Sequence, residues 1–301
     1  MKIAIIGLGK MGANMARRLR QAGIEVVGFD RDSESTRLLE EEIEIEAAYQ
    51  FEEVIHKLTT PRIIWSMVPA GETTKKIAQK FYTLLDEGDY YVDGGNSFYK
   101  DSIALATMFQ KKKINFYDIG VSGGIWGLQE GYSLMIGGDR EPASYLVPIF
   151  EILAPDKEKG WGFVGPHGAG HFVKMVHNGI EYGMMESLAE GFEIMKTKRE
   201  FKLNLEEIAG IWQHGSVVRS WLLDLTLDAL SEDKELSNID SRVEDSGEGR
   251  WTVHEAIDLG VPAPVISASL NRRFGSRQTD SFAVKLLSAM RNKFGGHAIK
   301  E

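Results

Sequence analysis

Residues 2–12 read Lys-Ile-Ala-Ile-Ile-Gly-Leu-Gly-Lys-Met-Gly, an apolar strand pattern running into a turn punctuated by glycine. Gly7, Gly9 and Gly12 stand in the spacing that joins the first strand of a dinucleotide-binding unit to its first helix. Each has a separate physical reason. Gly7 permits the tight turn, Gly9 lets the backbone approach a pyrophosphate, and Gly12 lets the helix pack closely on the strand. The helix N-terminus then offers free N–H groups and positive potential to the phosphates. Leu8, Lys10 and Met11 complete the loop and are expected cofactor contacts. Three glycines in this spacing are weak evidence by themselves. Here they follow a strand pattern, open an amphipathic stretch over 11–22, and precede Asp30 at the end of the next strand pattern. A carboxylate about 20 residues past the loop accepts the ribose 2′-hydroxyl and repels a 2′-phosphate. NAD is therefore the expected cofactor. Arg31 and Arg37 follow closely and keep NADP in view.

Beyond this fingerprint, short apolar runs at 25–29, 62–67, 89–92, 114–119, 133–136 and 162–164 alternate with amphipathic stretches such as 33–42. Alternation of this kind predicts a Rossmann-like, doubly wound, mostly parallel α/β sheet. Val68, just past the run at 62–67, is a further expected cofactor contact. The strand signal stops near Val164, and helical periodicity with Gly and Pro breaks runs to the end. The expected organisation is a dinucleotide-binding domain over 1–165 and an all-α domain over 166–301, with a C-terminal tail. The polar, acidic stretch 231–249 reads as a loop with short helical pieces.

Composition narrows the function classes. The chain has 301 residues, a formal net charge of −9, 43% hydrophobic residues and no cysteine. Acidity argues against wrapping a nucleic-acid backbone. The missing thiols exclude disulfides, thiolate nucleophiles and cysteine metal sites. No metal site, membrane span or signal peptide is expected, so the protein reads as cytoplasmic.

The stretch 167–198 reads as one long helix after a glycine-rich start. Lys174, His177, Asn178, Glu181 and Tyr182 fall at i, i+3, i+4, i+7 and i+8, which places them on one face. Ordinary solvated faces carry Glu, Lys, Gln and Arg, whereas this one mixes His, Asn and Tyr. With apolar residues on the other sides, the helix is expected to be central and its polar stripe to line a cleft. A desolvated lysine can act as a base, a carboxyl as an acid, and an amide and an imidazole can hold hydroxyls. Two glycine loops, Gly94-Gly95-Asn96-Ser97 and Ser122-Gly123-Gly124, follow strand patterns and so belong at the ligand-binding ends of the sheet. Asn96 and Ser122 supply polar contacts there.

Asp93–Ser97, Val121–Gly124 and the run Gly168–Gly183 together resemble the 6-phosphogluconate dehydrogenases within the wider β-hydroxyacid dehydrogenases. The resemblance continues through Gly247–Trp251, Gly260–Pro262 and Arg291–His297, and so covers nearly the whole chain. It implies oxidative decarboxylation of 6-phosphogluconate to ribulose 5-phosphate and CO2 in the pentose phosphate pathway, with NAD preferred. By resemblance, Lys174 takes the proton of the substrate 3-hydroxyl and Glu181 protonates C1 of the enediol. Asn96, Ser122, Gly123, Gly124, His177 and Asn178 hold hydroxyls and carboxylate, with Asn96 also near the cofactor. Tyr182 and Arg272 match phosphate ligands. Arg291 and His297 match tail residues that, in long-form enzymes, reach a neighbouring subunit, so a homodimer or homotetramer is implied.

The chain also departs from the pattern. Ser246 and Glu248 stand where long forms carry a phosphate-binding lysine and threonine, and 127–132 differs after the Ser-Gly-Gly loop. A glutamate there must point away from a phosphate or pair with Arg250. Gluconate, or a smaller acid such as 3-hydroxyisobutyrate, is the alternative substrate. A non-catalytic dinucleotide sensor is the alternative outside enzymes, and the presence of both Lys174 and Glu181 argues against it.

Overall fold

The computed structural model describes residues 1–296 and 298. The expected tail ligand His297 lies outside them. The chain forms two compact units, Met1–His177 and Asn178–Glu301.

The first unit is built on an eight-stranded sheet: β1 Lys2–Ile6, β2 Glu25–Phe29, β3 Glu46–Ala47, β4 Ile63–Ser66, β5 Tyr90–Asp93, β6 Asn115–Ser122, β7 Ser133–Gly137 and β8 Trp161–Gly165. Their spatial order is β3-β2-β1-β4-β5-β6-β7-β8. The first six are parallel, with β1 in register Ile6↔Phe29 against β2 and Ile6↔Ser66 against β4. β7 runs antiparallel to β6, and β8 parallel to β7. Helices α1 Lys10–Gln21, α2 Ser33–Ile43, α3 Phe51–Lys57, α4 Glu72–Leu84, α5 Tyr99–Gln110, α6 Gly127–Glu130 and α7 Val147–Leu153 connect and cover the strands. Two separate apolar clusters result. One contains Ile3, Ile5, Trp65 and Phe150, and the other Ala4, Ile6, Phe81, Tyr91 and Phe109. Neighbouring residues of β1 thus feed opposite clusters, as strand alternation requires of a sheet buried on both faces.

Helix α8, Ala169–Thr197, starts in the first unit and continues into the second. The compact units divide at residue 177, inside α8, because the first turns of α8 pack on the sheet of the first unit. A Cβ at Gly170 would lie 2.2 Å from Asp118 O, and one at Gly120 would lie 2.4 Å from Lys174 Cβ.

The second unit contains the rest of α8 with α9 Leu205–Trp212, α10 Trp221–Glu232, α11 Glu248–Asp258, α12 Pro264–Ser276 and α13 Phe282–Gly295. Phe192, Ala209, Leu223 and Leu230 form its buried cluster. Residues 233–247 are turns and irregular backbone between the end of α10 and the start of α11, the loop expected within 231–249, whose only helical residues are those at its two ends. The polar stripe of α8 is the sequestered side: Lys174, Asn178 and Tyr182 are buried. Its apolar residues Ile180, Met184 and Met185 are 52%, 43% and 41% exposed. Met175 is buried and Val176 and Leu188 are half-buried, so the apolar side of α8 is only partly enclosed, less than expected of a central helix.

Candidate functional site

The dinucleotide loop lies where the strand order turns from β1 to β4, the point at which open sheets of this kind bind ligands. Gly7 adopts φ +93°, and a Cβ there would lie 2.6 Å from Met67 O. A Cβ at Gly12 would lie 2.0 Å from Gly7 O. Both glycines are therefore demanded by the protein's own packing. Gly9 is different: an added Cβ would meet nothing within 4 Å. Open space above a glycine at a helix N-terminus suits an incoming pyrophosphate. The Asp30 carboxylate accepts hydrogen bonds from Leu8 N at 2.7 Å and Asp32 N at 2.9 Å, which anchors it at the loop. Val68 is buried beside the turn, its Cγ1 3.1 Å from a Cβ placed on Gly7. Lys10 and Arg31 are exposed, and Met11 is half-buried. Arg37 is held by Glu34 and Glu41 at 2.6 and 2.5 Å on the surface of α2, so its charge is already matched. These residues fit a dinucleotide cofactor.

Both glycine loops sit at carboxyl ends of strands. After β5, a Cβ on Gly94 would lie 2.3 Å from Trp65 Nε1, and one on Gly95 2.8 Å from Val68 O. This tight turn leaves Asn96 exposed at its tip and buries Ser97. After β6, Gly123 and Gly124 adopt φ +135° and +54°, left-handed backbone that glycine accepts without strain.

Ser122, His177 and Lys174 come together in the first unit. Ser122 Oγ lies 3.4 Å from His177 Nε2, and His177 Nδ1 lies 3.4 Å from Lys174 Nζ. One imidazole thus joins a hydroxyl to an amine. With Nδ1 unprotonated, the ring accepts from the lysine and its Nε2–H can donate to the serine. Such a chain can hold a substrate hydroxyl and move its proton.

In the second unit Tyr182 is buried, and its hydroxyl accepts from Ser246 N at 3.3 Å. A Cβ on Gly249 would lie 2.5 Å from the Tyr182 ring, so only glycine lets the start of α11 approach it this closely. The Arg273 guanidinium lies 3.6 Å from the ring centroid and donates to Glu244 O at 2.9 Å. Arg272, the arginine singled out from sequence, is instead 65% exposed and 3.5 Å from Glu186. Adjacent helical residues point about 100° apart, so only one of the pair can face Tyr182. Glu248 is buried and accepts from Ser246 Oγ at 2.5 Å. The pairing expected for Arg250 goes elsewhere, bidentate to Asp245 at 2.8 and 2.9 Å. Arg277 adds a further bridge at 2.9 Å, and the two cations hold the Asp245 carboxyl below the usual range. Asn178 is buried, Glu181 is half-buried, and Arg291 is exposed on α13.

Three residues near this chemistry escaped the sequence reading: Ser102, Asp118 and His171, all buried. Asp118 left one signal, a carboxylate inside the apolar run Phe116-Tyr117-Asp118-Ile119. A charge in such a run is costly unless paired. Among the described residues there is no His, Asp or Glu cluster fit to hold a metal ion, and no helix long and apolar enough to cross a membrane.

Comparison with known proteins divides the chain between residues 162 and 170. The family profile for the NAD binding domain of 6-phosphogluconate dehydrogenase matches residues 2–162, and that for the 6-phosphogluconate dehydrogenase C-terminal domain matches residues 170–285. The Haloferax volcanii NAD(+)-dependent, decarboxylating 6-phosphogluconate dehydrogenase is 39% identical over 99% of this chain and 98% of its own. The Staphylococcus aureus (strain N315) decarboxylating 6-phosphogluconate dehydrogenase is 38% identical over 91% of this chain, which spans 61% of that longer protein. The Plasmodium falciparum 6-phosphogluconate dehydrogenase, solved in its apo form, with its cofactor NADP+ and with its substrate 6-phosphogluconate, superposes with a TM-score of 0.85 at 28% identity. That match covers all of this chain and 66% of the Plasmodium one.

Proposed function

The chain belongs to the 6-phosphogluconate dehydrogenase family, and on that premise we propose that it oxidises and decarboxylates 6-phosphogluconate with NAD. The observation that carries this reading is the Ser122–His177–Lys174 chain at the end of β6, beside a glycine loop. NAD, held by the Gly7–Gly12 loop and Asp30, supplies the acceptor for the hydride that leaves C3.

Lys174 takes the 3-hydroxyl proton as the carbonyl forms. The product is a ketone β to the carboxylate, so the C1–C2 bond can break and its electron pair flow towards the carbonyl oxygen. The same lysine, now protonated, returns its proton to that oxygen, giving CO2 and an enediol. Glu181 then protonates the enediol carbon while Lys174 takes the proton back from the hydroxyl on the neighbouring carbon, which becomes the ketone of ribulose 5-phosphate. Asn96, Ser122, Gly123, Gly124, His177 and Asn178 orient the hydroxyls and the carboxylate. Tyr182 and Arg273 are the fitting phosphate ligands, with Arg272 and Arg291 as further cations. A spectrophotometric assay with NAD and 6-phosphogluconate, run beside gluconate and 3-hydroxyisobutyrate, tests the reading. NADH formation confined to one of the other two acids would overturn it.

NAD preference follows from Asp30, with Arg37 neutralised on α2. Asp30→Asn is expected to lower kcat/KM for NAD and to relax the rejection of NADP by about 10- to 100-fold, the worth of one hydrogen bond to a charged group. A native enzyme with the higher kcat/KM for NADP sinks this reading of β2.

The second unit exposes large apolar side chains, among them Ile194 at 71%, Ile257 at 72% and Phe282 at 76%. Surfaces of this kind support self-association as a homodimer or homotetramer. The resemblance further assigns Arg291 and His297 to a neighbouring subunit's substrate. Deleting residues after Met290 is expected to raise KM for 6-phosphogluconate about tenfold or more, the loss of a charge-assisted contact, with NAD binding unchanged. An unaltered KM in a truncated, folded enzyme would remove the tail from the site.

A further inference from the structure

We propose that Asp118 is a positioning residue: its buried carboxylate on β6 clamps the first turn of α8 and so holds Lys174 in place. The proposal rests on the reading of Lys174 as the reacting base. A helix begins with N–H groups that lack intrahelical acceptors. Ser, Thr, Asp or Asn at the N-cap usually satisfies one of them. The residue before α8 is Gly168, at φ +92°, with no side chain to do so. Asp118 supplies the acceptors from the sheet. Its Oδ1 accepts from Gly168 N at 2.6 Å and its Oδ2 from His171 N at 2.9 Å. Both carboxylate oxygens are engaged, and the negative charge faces the positive end of the helix.

Asp118 is itself fixed. It stands opposite Asp93 on β5 and Gly137 on β7, so both strand edges hold it. Three glycines then bring α8 onto the strand. A Cβ on Gly137 would lie 2.5 Å from Asp118 Oδ1, one on Gly170 2.2 Å from Asp118 O, and one on Gly120 2.4 Å from Lys174 Cβ. The register is one to one. From Asp118 to Gly120 is one step along the same face of the strand, and from Gly170 to Lys174 is one turn along the same face of the helix. On the other side, His171 Nδ1 meets Ser102 Oγ at 2.7 Å in the interior. Burial pushes the Asp118 carboxyl up, while His171 and the two N–H groups pull it down. A buried ion is a costly cap, and its two bonds fix an orientation that a flexible cap at a chain turn would not.

Asp118→Asn and Asp118→Ala test the clamp. Each variant is followed by kcat, by KM for NAD, by the isotope effect with 3-deuterated 6-phosphogluconate, and by amide exchange over 168–174. A misplacement of about 1 Å costs up to about 100-fold. The expected result is a kcat lower by about 10- to 100-fold with KM for NAD within about twofold. A larger isotope effect and faster exchange at the Gly168 and His171 amides should accompany it, and Asn, which retains one acceptor, should change less than Ala. If the Ala variant does not fold, the isosteric Asn variant decides. Native kcat in a folded variant overturns the clamp, and so does reduced kcat with native exchange. A native enzyme inert towards 6-phosphogluconate would overturn the proposed function instead, and the exchange measurement would still decide the clamp.

Discussion

Replacing Lys174 with Met is expected to lower kcat for 6-phosphogluconate oxidation by about 10²–10⁴-fold, the usual contribution of a general acid–base group. The substitution is chosen to leave the fold alone. Lys174 is only 8% exposed, and its Cβ packs where Gly120 has no side chain. An unbranched apolar chain fills that space without an unpaired charge. What disappears is the amine 3.4 Å from His177 Nδ1, the group proposed to take and return the C3 hydroxyl proton. Glu181→Gln should behave differently, because its role comes after CO2 has left. A pre-steady-state burst of NADH followed by slow turnover is the expected signature, whereas Lys174→Met should show no burst. A folded Lys174→Met enzyme with near-native turnover would remove the lysine from the mechanism.

The second large effect separates two adjacent arginines. Arg273→Met is expected to raise KM for 6-phosphogluconate by about 10- to 100-fold, the equivalent of about 1.5–3 kcal/mol for a charged hydrogen-bonding partner. Arg272→Met should change it by less than about threefold, as exposed ion pairs are worth little. The difference follows from placement. Arg273 lies 3.6 Å over the Tyr182 ring, whose hydroxyl meets Ser246 N at the start of the loop into α11. Arg272 is 65% exposed beside Glu186. With Glu248 buried at the start of α11 and Arg250 committed to Asp245, Arg273 is the cation best placed to offset a phosphate there. Equal effects of the two substitutions, or a larger effect at Arg272, would show that the phosphate does not bind beside Tyr182.

Much of the fold was readable because its signals are local. β1 and β2 coincide with their apolar runs, since a strand buried on both faces must be apolar throughout. Helix α8 declared itself through 29 residues of sustained periodicity. Two-residue β3, Glu46–Ala47, carries no run to detect and exists only because β2 offers it a partner. The reversal of β7 against β6 was equally silent, for strand direction is a property of the pair and leaves no mark on either run.

The sequence by itself determined the dinucleotide loop, the carboxylate at Asp30 and the helical spacing of Lys174, His177, Asn178, Glu181 and Tyr182, because turn geometry and helix periodicity depend on residues close in the chain. Tertiary structure alone decided that Arg273 and not Arg272 meets Tyr182, that Arg250 turns to Asp245, and that Ile180 and Met184 stay exposed while the polar stripe is buried. It also brought Asp118 to the amides of Gly168 and His171, about 50 residues away in sequence. Each of these depends on which distant surface a side chain finally faces, and that is settled only when the elements pack.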